Sequence, residues 1–112
     1  MNRDGALHSV ATELAAAAAA RAAGNHGMVR VCARRAAGAA LRWWIVRNGF
    51  RNWGSDAVTQ LRRLHSEAGV PEDVRGAAAR LTARVREDFT LPFDHDPIDD
   101  SRLIVTWIMA QD

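Results

Sequence analysis

Lysine and tyrosine are absent from this 112-residue chain, and cysteine occurs once. Each shortage removes a class of explanation. A lone Cys32 rules out an intrachain disulfide and suits a reducing compartment, so the expected location is the cytoplasm. No uncharged apolar run approaches the roughly 20 residues that span a bilayer, which argues against a helical membrane protein. Asp4 and Glu13 stand where a secretion leader would be basic and then apolar. There is no glycine-rich phosphate loop, and Asn25-His26-Gly27 reads as a turn between helices. With lysine missing, all 15 basic residues are arginine. A GC-rich gene can produce that bias, so arginine's forked geometry for phosphate receives limited weight.

What is present describes a single globular domain over residues 1–112. Hydrophobic residues make up 48% and charged residues 25%, the ordinary balance of a soluble protein. The charge is unevenly placed. Residues 1–51 hold eight arginines against Asp4 and Glu13, a net of +6; residues 87–112 hold Arg102 against seven acids, a net of −6. A basic front and an acidic tail attract each other, within one chain or across a dimer, as readily as they attract a ligand.

Periodicity predicts an all-α, up-down bundle of four to five helices and no strand. Leu7, Val10, Leu14 and Ala18 mark the inner face of a first helix over about residues 5–23. A second helix runs from about 28 to 47 and stops at Asn48-Gly49. Ser55 or Asp56 caps a third, with Val58, Leu61, Leu64, His65 and Ala68 as its stripe and Gly69 at its end. Pro71 suits the first turn of a fourth helix, whose stripe is Val74, Ala78, Leu81 and Val85. After a loop over 91–97, Asp96-Pro97 opens a last helix carrying Leu103, Ile104, Trp107 and Ile108.

The second helix ends in LRWWIVRNGFRNW, where three of the four tryptophans fall among three arginines. Val29, Cys32, Ala33, Ala36, Ala40 and Trp43 share one face, while Val31, Leu41 and Ile45 lie among Arg30, Arg34, Arg35 and Arg42 on the other. A helix apolar on both sides is buried on both sides. The expectation is that one side faces the bundle and the other a second subunit, in a homodimer through helices 1 and 2 with Gly38 allowing close approach. Trp43 is then core, and Trp53 is expected to be accessible. Phe50 and Trp53 are the aromatics to consider for stacking on bases, although loop packing is the simpler reading for both.

The run Cys32-Ala33-Arg34-Arg35-Ala36-Ala37-Gly38-Ala39-Ala40-Leu41-Arg42 resembles the second helix of the HEPN family of small helical bundles. The Val58-x-x-Leu61-x-x-Leu64 helix, Gly69–Val74, Ala79–Thr82 and a loop containing Pro92 follow in family order. The resemblance covers most of residues 5–108 and consists of helix lengths and apolar spacing. Arg35 and Gly38 stand where the family usually has glutamine and glutamate, Asp56 where a histidine often opens the third helix, and Thr90-Leu91-Pro92 where an Arg-Tyr-Pro triplet is common, so no site residue is carried over. The resemblance implies a non-enzymatic bundle that serves as an interaction or nucleotide-binding partner, often beside a small nucleotidyltransferase in toxin–antitoxin pairs. The alternatives are a ribonuclease or toxin of the same family and an unrelated helical adaptor.

No catalytic set, cofactor or metal site is expected. Arg3…His8 and Arg21…His26 have the spacing of a HEPN ribonuclease motif, but chance places about as many, and both lie too early in the chain. His95 stands among Asp94, Asp96, Asp99 and Asp100 without a second nitrogen or sulfur ligand at useful spacing, and acids before a helix are what capping requires. Cys32 reads as a packed thiol and His65 as a core-edge residue. For a ligand, the candidates are Arg34, Arg35, Arg42, Arg47, Arg51 and Trp53. Nucleotide or RNA is the ligand class, unless the acidic tail already occupies those arginines.

Overall fold

Short polar side chains open four of the helices. Asn2 accepts from the Gly5 amide at 2.7 Å, Asn25 from Met28 at 3.1 Å, Asp56 from Thr59 at 2.8 Å and Asp96 from Ile98 at 2.9 Å. Each bond satisfies an amide that has no partner within its helix. In the computed structural model, which describes residues 2–84 and 94–111, the helices so started are α1 (Arg3–Ala22), α2 (His26–Asn48), α3 (Ala57–Ser66) and α5 (Pro97–Met109). The remaining helix, α4 (Glu72–Thr82), follows Pro71, whose carbonyl accepts from Arg75 at 3.0 Å. Pro71 thus stands just before the first turn, with Glu72 and Asp73 inside it where the helix dipole favours acids. The chain is all-α, and among the described residues there is no strand. Among the described residues no helix is long and apolar enough to cross a membrane.

The end of α2 follows from one glycine. Gly49 adopts φ 67°, its amide donates to Val46 O, and the Phe50 amide donates to Ile45 O. That bond pair is a Schellman stop, which requires a left-handed residue and so favours glycine.

Helix α2 is the axis of the bundle. It packs against α1, α3, α4 and α5, and all six residues of its expected inner face are buried. So are Leu41 and Ile45 on the other side. Its two-sided apolarity, which suggested a second subunit, is therefore satisfied inside one chain. Gly38 is used internally too: a Cβ there would lie 2.7 Å from the Ala57 Cβ, so its missing side chain admits the start of α3.

The largest fully buried side chains are Leu41, Leu61, Leu64, Leu81, Ile104 and Ile108, contributed by α2 to α5. Each stabilises by about 1.5–3 kcal/mol, whereas a buried methylene is worth only about 0.8 kcal/mol. Helix α1 contributes smaller side chains, burying Ala6, Val10, Ala17 and Ala20 with the partly buried Leu14 packed against them. Its inner face is rotated from the expected one: Leu7 is exposed and Ala6 takes the core position. Polar ties hold its ends, Arg3 Nη1 to Met109 O at 3.1 Å and Arg21 Nη2 to Asp96 at 2.5 Å.

Two further expectations are corrected. Helix α3 ends at Ser66, so Ala68 lies beyond it and His65 is exposed, its Nδ1 3.1 Å from Arg75 O. The Val85 position of the α4 stripe and residues 91–93 of the 91–97 loop lie outside the described residues.

Candidate anion-binding groove

The aromatic stretch resolves into packing. Trp44 meets Phe50, Trp53 and Trp107 edge to face with ring centroids 5.0, 5.8 and 5.4 Å away. Phe50 stacks on Trp53 at 5.6 Å and 15°. Such pairs are the favoured geometry for aromatic quadrupoles and close the end of the bundle. Trp53 is only 6% exposed and lies under the Arg63 guanidinium at 5.1 Å. This overturns its expected accessibility, because an indole enclosed by rings and a cation offers no free face to a base. Trp43 is buried as expected, with Arg3 and Arg47 within 5.8 and 5.5 Å of its ring.

The arginines fall into three groups. Arg30, expected on the polar side, is buried, and its Nη2 donates to the carbonyls of Arg80, Leu81 and Ala83 at 3.3, 3.3 and 2.9 Å. It caps the end of α4, where carbonyls lack helical partners. Burial lowers its pKa, Arg34 one turn along lowers it further, and Asp100 pulls it back up; arginine remains charged throughout. Nothing in the periodicity marks this role, because the three carbonyls come from a helix 50 residues away.

A second group engages the acidic tail. Arg80 grips Asp100 through Nη2 at 2.9 Å and Nε at 3.1 and 3.2 Å, with the carboxylate 6% exposed. Arg21 holds Asp96, which also caps α5. Burial tends to raise the Asp96 pKa, but the bond from Arg21, the Ile98 amide and the charges of Arg21 and Arg102 outweigh it, and the net shift is downward. The tail thus neutralises arginines outside the candidate set. Glu87 and Asp88, which belong to the same acidic tail, lie outside the described residues.

The third group is the candidate set. Arg35, Arg42, Arg47 and Arg51 are exposed and Arg34 is half-buried. Among the described residues, Arg34, Arg35, Arg42 and Arg51 form no ion pair. The five do not share one site. Arg35 and Arg42, seven residues apart and hence on one side of α2, flank a groove of about 280 Å³ that is also lined by Ser9, Glu13, Gly38, Ala39 and Ala57. Arg47 lines a smaller hollow of about 200 Å³ with Trp44, Asn48 and Gln111. Sequence reasoning missed Ser9 and Glu13, since nothing in the primary structure places α1 against this side of α2.

The chain matches no family model, no curated protein and no solved structure.

Elsewhere the chemistry is sparse. Cys32 is buried, and among the described residues no group of three histidine, cysteine or acidic side chains could hold a metal ion. Arg3 and Arg21, the arginines of the two ribonuclease-like spacings, serve as ties between helices.

Proposed function

We propose that this chain is a non-enzymatic binding protein that receives a phosphate-bearing ligand, a nucleotide or a stretch of RNA, over α2 between α1 and α3. The observation that carries this reading is the pair Arg35 and Arg42. Both are exposed, both flank one groove, and neither pairs with an acid among the described residues. Guanidinium forks in that state suit phosphate oxygens, which they bind with two parallel bonds. The resemblance to HEPN bundles supports a non-catalytic role and, by itself, a small nucleotidyltransferase as companion. The ribonuclease alternative gains nothing from Arg3 and Arg21, which are already engaged. A homodimer remains part of the proposal, moved to the outward side of α1, where Leu7, Ala11, Ala15, Ala18 and Ala22 are exposed without charge.

Titrating a nucleoside triphosphate and an eight-nucleotide RNA into the protein at low salt tests the reading. Wild type is expected to bind at least one of them, and an Arg35→Ala, Arg42→Ala double variant to lose tenfold or more in affinity. Binding of neither ligand by wild type, or equal binding by the double variant, contradicts it.

A further inference from the structure

Glu13 is the odd member of the groove. It is one of two acids in the first 51 residues, and it stands half-buried beside Ser9, one turn away on α1. It lines the same space as Arg35 and Arg42 yet pairs with neither. An acceptor on the α1 side and two cationic forks on the α2 side therefore face one space across a gap. Inorganic phosphate seated on the arginines would bring its whole negative charge toward the carboxylate, with only its own P–OH protons to offer it. A ligand that satisfies both walls carries an anion at one end and hydrogen-bond donors at the other. The floor favours close approach, because Gly38, Ala39 and Ala57 present nothing larger than a methyl group. Size narrows the class: about 280 Å³ lies at the small end of ligand sites, which usually measure about 300–1,000 Å³.

Building on the phosphate-binding reading above, we propose that this groove holds a small phosphate monoester whose other end bears hydroxyl or amino donors. The phosphate sits on Arg35 and Arg42, the donors bond to Glu13, and the Ser9 hydroxyl lies alongside. The two arginines are about 10.5 Å apart along the helix axis, a span that two arginine side chains can close by leaning toward one phosphate between them.

Calorimetric titration of the intact protein with inorganic phosphate, ribose 5-phosphate and AMP at low salt tests this. Wild type should bind at least one ester about tenfold more tightly than inorganic phosphate, the scale of a hydrogen bond to a charged acceptor. In Glu13→Ala the ester should lose that advantage, while inorganic phosphate binds as well or better. Glu13→Gln, which keeps an acceptor oxygen, should fall between. Alanine suits the α1 helix, and circular dichroism checks that both variants stay folded. Tight binding of ribose 5-phosphate places the donors on the sugar; tight binding of AMP alone places them on the base; either supports the proposal. Equal wild-type affinity for all three compounds, or an equal loss for all three in Glu13→Ala, overturns it and leaves the phosphate-binding reading standing. If none of the three binds while a triphosphate or RNA does, the proposal fails alone.

Discussion

Arg80 on α4 holds Asp100 on α5 by a two-nitrogen grip, Nη2 at 2.9 Å and Nε at 3.1 and 3.2 Å from its oxygens, beneath a nearly closed surface. Removing one partner strands the other, and for a buried pair that costs about 3–5 kcal/mol. Arg80 keeps some exposure, so Asp100→Ala is expected near the lower end, about 3 kcal/mol. Replacing both, with Arg80→Met and Asp100→Leu, should recover part of the loss because neither charge is then desolvated. Urea denaturation of the two variants checks this, and a double variant weaker than the single one would contradict it.

Asp96 supplies a pH signature. Its folded-state pKa lies below the usual carboxylate value, so the stability it adds is complete above about pH 4 and disappears as pH falls through the folded pKa. The stability gap between wild type and Asp96→Ala should therefore hold steady from pH 7 to pH 5 and narrow toward pH 3. Denaturation midpoints at the three values measure it. A gap that widens on acidification would show that the Arg21 contact does not hold the carboxylate ionised.

Gly38 should behave against helix propensity. Glycine to alanine inside a helix ordinarily gains about 1 kcal/mol. Here the new Cβ would meet Ala57 at 2.7 Å, and overpacking costs about 1–3 kcal/mol. Gly38→Ala should thus lower the melting temperature, and adding Ala57→Gly should restore part of it. A stabilised Gly38→Ala protein would mean that α3 does not rest on α2 as described.

Helix existence and caps were legible in the sequence because they depend on local chemistry. Asp56, Asp96 and Gly49 announce their roles by type and position. The Trp43 face was legible because α2 repeats its apolar residues at helical spacing. The inner face of α1 was not, since a run of alanines carries little periodic contrast and one misplaced leucine, Leu7, pulled the reading off by a residue. The two-sided apolarity of α2 was legible, but what covers Leu41 and Ile45 was not, because periodicity shows that a face is covered but not by what. Trp53 lies in a loop without period, and Arg30 meets carbonyls far along the chain. For the groove, the arginines were visible as a basic cluster. Which two of them line one groove, and that Glu13 lines it with them, depended on how α1 packs.

The claim that Arg35 and Arg42 frame a ligand groove is tested most directly by amide NMR during a titration with ATP at low salt. The account predicts that the resonances of Ser9, Glu13, Gly38, Ala39 and Ala57 shift first and together, tracing one binding curve. Shifts centred on Phe50 to Trp53, or none at all with either ATP or the eight-nucleotide RNA up to millimolar concentration, an affinity limit of about −4 kcal/mol, would contradict it.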